Sequence, residues 1–323
     1  MRRSFLNYSF VTLKGLAMGA ADVVPGVSGG TIAFISGIYE ELIKTIDNLD
    51  MGILTKARKQ GVKTAWRDYN LSFLFALVLG IAISILTFAK VISYLLDNEP
   101  VILWSFFFGL VIASIVYISG QIQKWNWKTI LGLLIGAVVS YFVTIAEPVT
   151  SPDSYWFLLL SGFIAIIAMI LPGISGAFIL LLLGSYHVVI GSINEFTSAV
   201  FSMNWNAALL AATKLGTFAV GALLGIKVFS KVLTWMFENY KNITLALLTG
   251  FMVGSLNKIW PWKKVLTTYT NSHGEVVPIL QKSILPGQFE GDPQILSAII
   301  AAIGGFLLIF LLEKLAVRKK GKI

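Results

Sequence analysis

Pro25-Gly26-Val27-Ser28-Gly29-Gly30-Thr31, set in apolar sequence, returns further along the chain as Pro172-Gly173-Ile174-Ser175-Gly176-Ala177-Phe178. Proline and glycine together interrupt a helix, and inside lipid such a break leaves backbone N–H and C=O groups without partners. Irregular backbone at membrane depth is tolerated where it is buried in protein or lines a polar cavity. Two Gly/Pro-interrupted segments at corresponding places in two halves point to a transporter's binding site. This pair therefore bears on fold and function together.

The repeat extends beyond the motif. With Pro25 laid on Pro172, Phe10 falls on Phe157, Gly15 on Gly162, Gly37 on Gly184 and Tyr39 on Tyr186. In a slightly shifted register Gly80 matches Gly221, Lys90 matches Lys231, Asn98 matches Asn239, and Gly109 and Ser114 match Gly250 and Ser255. Trp125-Asn126-Trp127-Lys128 then resembles Trp260-Pro261-Trp262-Lys263. Greasy segments resemble one another by chance, but glycines, lysines and tryptophans in matching order do not. The chain reads as two repeats, 1–150 and 151–323.

Each repeat opens with a broken segment, 10–46 or 157–193, long enough for two half-helices forming a re-entrant hairpin. Three apolar runs follow in each: 71–96, 101–118 and 129–146, then 207–237, 243–258 and 295–313. A span takes about 20 apolar residues, so each run suffices or nearly so. The second half inserts a polar loop, 264–294, before its last run. Segment 51–69, with charges spaced among Ile53, Leu54, Val62 and Trp66, is expected to lie along the inner interface.

The 323 residues are 56% hydrophobic and 13% charged, with a mean hydropathy of +0.81, which excludes an ordinary soluble domain. The absence of cysteine excludes disulfides, Cys-ligated metals and thiol chemistry. The net charge of +9 could suggest nucleic acid, but Lys and Arg sit mainly in short loops and at the C-terminus. Topology signalling and anionic lipid account for them, and no nucleic-acid partner is expected. Met1-Arg2-Arg3 leads straight into the repeat, so no cleavable signal peptide is expected.

Charge also orients the chain. Arg2, Arg3, Lys56, Arg58, Lys59, Lys63 and Arg67 flank the first hairpin and put both its ends in the cytoplasm. Asp97-Asn98-Glu99 reads as an external turn, and Lys124 with Lys128 as an internal one. Stretches 147–153 and 191–206 carry no Lys or Arg, placing the second hairpin's ends outside. Three crossings between the hairpins invert the second half. Lys314, Arg318, Lys319, Lys320 and Lys322 return the C-terminus to the cytoplasm. Lys258, Lys263, Lys264 and Lys282 dissent, since they would lie outside. The expected fold is an all-α polytopic membrane protein with an inverted-topology repeat, each half a re-entrant hairpin plus three transmembrane helices.

In each motif the small residues immediately precede a new helix. A helix N-terminus offers unpaired N–H groups and a positive dipole end, suited to phosphate or carboxylate. Pro25, Gly26, Ser28, Gly29, Gly30 and Thr31, with Pro172, Gly173, Ser175 and Gly176, are therefore substrate-binding candidates. The plainer reading is that these small residues only let helices pack closely. Two copies at equivalent positions favour a site. Lys14, Lys90, Lys214 and Lys231 join the candidates as charges within apolar runs. Lys227 reads better as snorkelling to the interface. Asp22 could cap the break, pair with a lysine or carry a proton.

Gly173-Ile174-Ser175-Gly176 also matches the G-x-S-G nucleophile of an intramembrane serine hydrolase, which needs a histidine base on a later span. The histidines are His187, within the same hairpin, and His273, in the polar loop. No paired-carboxylate, His-metal or Walker-type pattern is present, so neither a cofactor nor a metal is expected. The residues alone lead to a transporter for an anion, with the hydrolase as the weaker alternative.

Ala20-Ala21-Asp22-Val23-Val24 ahead of the first motif, Leu171-Pro172-Gly173-Ile174-Ser175-Gly176, and Gly254-Ser255-Leu256-Asn257-Lys258-Ile259-Trp260-Pro261-Trp262 closely resemble the bacterial polyprenyl-phosphate transporter family. The resemblance covers nearly the whole chain. It implies a flippase in the bacterial cytoplasmic membrane, not an enzyme, that returns undecaprenyl phosphate from the outer to the inner leaflet for reuse in cell-envelope synthesis. In that family a basic residue, more often arginine, is expected at the place of Lys231; lysine keeps the charge without the fork geometry.

Overall fold

A computed structural model describes residues 5–24, 27–152, 154–270 and 276–320. The first part holds α1 (Phe5–Val23), α2 (Gly29–Ile35), α3 (Tyr39–Asn48), α4 (Gly52–Gln60), α5 (Val62–Asp68), α6 (Leu71–Asn98), α7 (Pro100–Ser119) and α8 (Trp127–Ile145). After it come α9 (Tyr155–Ile170), α10 (Gly176–Leu182), α11 (Tyr186–Phe201), α12 (Trp205–Asn239), α13 (Lys241–Ser255), a two-stranded sheet and α14 (Ile295–Lys320). Helix starts carry their expected chemistry. Asn126 and Thr129 form a reciprocal capping box on α8, Asn204 accepts from the Ala207 N–H on α12, and Pro100 opens α7.

Helices cover all six apolar runs. Four of them, α6, α7, α8 and α12, are long and apolar enough to cross a membrane, and α10 with α11 would add a fifth span bent by 104°. The apolar part of α14, Ile295–Phe310, and the 15-residue α13 are shorter than a full span. The chain is a multi-pass membrane protein. Large apolar side chains such as Phe75, Leu86, Phe142 and Leu223 are exposed on α6, α8 and α12, as they are where lipid is the solvent.

The polar loop departs from an all-helical expectation. Lys263–Thr270 (β1) and Val276–Ser283 (β2) pair antiparallel. Their β-branched and aromatic residues, among them Val265, Thr267, Thr268 and Val276, favour an extended chain over a helix.

Helices pack in pairs: α1 along α6, α9 along α12, α7 along α14 and α8 along α13. Glycines allow the approach. A Cβ on Gly15 or Gly80 would strike the backbone of the partner helix, and so would one on Gly162 or Gly221, Gly109 or Gly305, Gly136 or Gly250. The interior is formed by α7, α13 and α2, with Phe34, Leu110, Ala113, Leu248 and Met252 buried. Buried Ser105, Ser114 and Thr249 donate to carbonyls one turn back, which satisfies their hydroxyls without water.

Candidate functional site

The first break follows Val23, and Ser28 starts α2 on the other side; Pro25 and Gly26 lie outside the described residues. Each early amide of α2 already has an acceptor. Gly29 N–H donates to Asp22 Oδ1 at 2.6 Å, Gly30 N–H to Ser28 Oγ at 3.1 Å and Thr31 N–H to Ser28 O at 2.9 Å. All seven residues of α2 are buried. Here the protein's own carboxylate sits where an external anion would bind.

The second break is built differently. Helix α9 ends at Ile170, Leu171 is extended, and Gly173 takes a φ of +87°, a left-handed conformation that a side chain would strain. Ser175 caps α10 by accepting from Phe178 N–H at 3.4 Å. Met169 stands in the register of Asp22, so the carboxylate that fills the first break has no counterpart at this position.

The two breaks meet. Gly173 N–H donates to Thr31 Oγ1 at 2.9 Å, and Ser28 Oγ donates to the carbonyls of Met169 and Leu171 at 3.2 and 3.3 Å. A Cβ on Gly30 would lie 2.5 Å from Ile170 O, so this contact admits only glycine.

Beside the second break is a small cleft lined by Ser140 and Thr144 of α8, Gly173, Ser175, Phe178 and Lys258. Ser140 Oγ is buried and has no hydrogen-bond partner among the described residues. Thr144 Oγ1 donates to Tyr141 O at 2.7 Å and accepts from Asn257 Nδ2 at 2.8 Å. Lys258, in the turn after α13, holds its ammonium 3.9 Å from the centre of the Phe178 ring. Among the described residues no carboxylate or carbonyl accepts from that ammonium. Burial lowers its pKa from 10.5 to about 8. The cleft thus presents a positive charge, free hydroxyl capacity and an apolar wall, which is the chemistry of an anion site.

Lys263 stands at the start of β1. Its ammonium is buried 3.3 Å from the centre of the Trp104 ring and has no hydrogen-bond partner among the described residues. Burial, and then the charge of Lys258, hold it well below the ordinary lysine range.

The other lysine candidates sit apart from the cleft. Lys14 is half-buried on α1 and donates to Ser36 O at 2.5 Å. Lys90 on α6 and Lys231 on α12 are exposed, and Lys214 on α12 is half-buried. Lys227 donates to the carbonyls of Asp47 and Leu49, the latter at 2.8 Å, at the end of α3. It pins one helix to another, which a purely snorkelling side chain would not do. His187 is exposed on α11 and packs edge-on against Tyr186, and His273 lies outside the described residues. Among the described residues no group of three or more His, Cys, Asp or Glu could hold a metal.

Sequence reasoning did not select Ser140, Thr144 or Lys258 as site residues. Lys258 did leave a signal, as a lysine on the side where the charge pattern expects none.

Residues 18–277 match the model of a family described as undecaprenyl phosphate translocase-like. A polyprenyl-phosphate transporter of Vibrio cholerae serotype O1 is 43% identical over 315 residues, covering 96% of this chain and 98% of the relative. A polyprenyl-phosphate transporter of Staphylococcus aureus is 31% identical over 261 residues, covering 77% of this chain and 85% of the relative. No solved structure matches significantly.

Proposed function

The chain belongs to the undecaprenyl phosphate translocase-like family, and on that footing we propose that it flips a polyprenyl phosphate from the outer to the inner leaflet of the bacterial cytoplasmic membrane. The phosphate sits in the cleft at the second break, against Lys258, Ser175 and the free hydroxyl of Ser140, while the prenyl tail stays in lipid. The observation that carries this reading is the Lys258 ammonium, on a half-buried side chain that lines the cleft with Ser175, against an aromatic wall and with no counter-ion among the described residues. A buried charge without a partner is costly, and an arriving phosphate supplies the partner. Charge-assisted hydrogen bonds of this kind contribute roughly 1.5–3 kcal/mol each.

The two broken segments act as re-entrant hairpins of an inverted repeat. What supports this is the matched packing: α1 with α6 against α9 with α12, and α7 with α14 against α13 with α8. Gly15 and Gly80 make the close approach in one pair, and their sequence mates Gly162 and Gly221 make it in the other. Gly37 and Gly184, also mates, both have positive φ, +71° and +67°, after α2 and α10. The termini then face the cytoplasm. Lys263, which dissents from the charge pattern, has a buried ammonium and Lys258 a half-buried side chain against Phe178, so neither need act as a loop charge. Helices α4 and α5 lie along the inner interface, where exposed Met51, Leu54 and Val62 meet lipid. Lys90 and Lys231, exposed at equivalent places, attract the headgroup at opposite faces.

The halves are not equivalent as sites. Asp22 fills the first break and leaves the second as the single substrate position. The test is leaflet exchange of labelled undecaprenyl phosphate in vesicles holding the purified protein. Wild type accelerates exchange and Lys258→Gln does not. Acceleration by Lys258→Gln at the wild-type rate, or uptake of inorganic phosphate in place of the lipid, would overturn the assignment.

A further inference from the structure

The two motifs share Pro-Gly-x-Ser-Gly and part at their last two residues, Gly30-Thr31 in the first and Ala177-Phe178 in the second. Thr31 is spent on the tie between the breaks, since its hydroxyl accepts from Gly173 N–H at 2.9 Å. A phenylalanine side chain can make no such bond. Phe178 is 9% exposed and lines the cleft, with its ring centre 3.9 Å from the Lys258 ammonium. Its neighbour Ile179 packs into an apolar cluster with Ala168 and Ile174, whereas Phe178 faces the cation. The cleft wall offers that cation only hydroxyls among the described residues, from Ser140, Thr144 and Ser175. The other lysines of its segment, Lys263 and Lys264, are turned to the Trp104 ring and to Glu290.

A half-buried lysine without a counter-ion relieves its position by shedding its proton or by swinging out to water. The negative face of an aromatic ring opposes both, and it brings no anionic group that an arriving phosphate would have to displace. We propose that Phe178 is a positioning residue for phosphate binding, its ring face holding the Lys258 ammonium charged and in place in the empty cleft. The inference rests on reading the cleft as a phosphate site, and it adds how the binding charge is kept ready. The headgroup takes the side of the ammonium away from the ring. The ring contact persists in the bound state, so the long side chain need not be ordered anew. One register position thus joins the breaks in the first copy and cradles the cation in the second.

The experiment is binding of labelled undecaprenyl phosphate to the purified full-length protein, with Phe178 replaced by phenylalanines carrying one, two or three ring fluorines. Fluorine drains the negative face at nearly constant shape, so the fold is kept. Affinity should fall stepwise, by about three- to thirtyfold across the series, the scale of a cation–π contact. Phe178→Leu fills the space without a ring and should show a comparable loss, and Phe178→Tyr should bind as wild type does. Wild-type affinity falls as pH climbs through about 8, where Lys258 loses its proton. In Phe178→Leu that fall should come at lower pH, because the charged form has lost its support. Constant affinity along the fluorinated series, or a leucine variant weakened at every pH with its profile unmoved, makes the ring a filler and overturns the proposal. Lys258→Gln tests the cleft separately. If it binds like wild type, the phosphate reading fails and the positioning role falls with it; if it loses binding while the fluorinated series stays flat, only the role of Phe178 fails.

Discussion

The Gly173 N–H donates to the Thr31 hydroxyl at 2.9 Å, a fully buried bond that joins the two broken segments, far apart in sequence, alongside those from Ser28. Thr31 is 1% exposed, and no water competes for that bond. Thr31→Val keeps the shape and removes the acceptor, leaving a buried amide unpaired. The expected cost is about 1–3 kcal/mol, read as a lower unfolding temperature in detergent, with Thr31→Ser close to wild type.

Helix pairing gives a second expectation. Gly221 packs against Leu159, and a methyl group there would strike its carbonyl; at Gly216, on the same helix, added atoms meet open space. Gly221→Ala should destabilise the protein, by about 1–3 kcal/mol if the backbone must shift. Gly216→Ala should be neutral or stabilise by up to ~1 kcal/mol through helix propensity. Thermal melts of the two variants, purified side by side, decide this.

Lys258 makes stability and binding run in opposite directions with pH. Its pKa is lowered from 10.5 to about 8, so the folded protein releases this proton before the unfolded chain does. Between those values the unfolded state binds more protons, and stability rises with pH; below about 8 both states are charged and the contribution is flat. Phosphate affinity should instead fall as pH climbs through about 8, because the cation is lost while the phosphate stays dianionic. Lys258→Gln should flatten both profiles, measured by melting and by lipid binding.

Ser175 separates a donor from a nucleophile. Its Oγ caps α10, and no described histidine lines its cleft. Ser175→Ala should weaken transport by the equivalent of ~1–2 kcal/mol, and the wild-type serine should ignore fluorophosphonate probes. Labelling of Ser175 by such a probe would move the protein to the hydrolases.

Lys90 and Lys231 are exposed at equivalent places on α6 and α12. Lys90→Gln should slow capture from the outer leaflet, and Lys231→Gln should affect exchange at the inner one, with Arg at either position rescuing most activity. Unchanged rates in both directions would reduce the pair to helix anchors.

The apolar spans of the fold were legible because lipid imposes a length on each of them. Gly15 with Gly80 and Gly162 with Gly221, matched in the sequence, lie at the α1–α6 and α9–α12 seams, though the matches alone did not say which helices would meet. The site was legible only in part. The motifs marked both breaks, but a run of small residues does not say whether its amides are free. That depends on Asp22, whose carboxylate takes the Gly29 N–H in one copy, and on Met169, which cannot do so in the other. Ser140, Thr144 and Lys258 come from other helices and turns and converge only through packing, for which a sequence read in windows holds no sign. The strands of the polar loop were hidden for a different reason, a local preference in a segment read for polarity alone.

The bonds from Lys227 to the last carbonyls of α3 bear on how such a molecule could move. An ammonium at a helix C-terminus meets the negative end of its dipole, so the contact is a tie under favourable tension. It runs from partway along α12, the partner of α9, to the exit of the first broken segment. Tilting of the α9–α12 unit would pull directly on that segment, with no need for a signal through the core. The matching position in the first half is Leu86, so this drawbar exists on one side only, and the two halves are geared unequally.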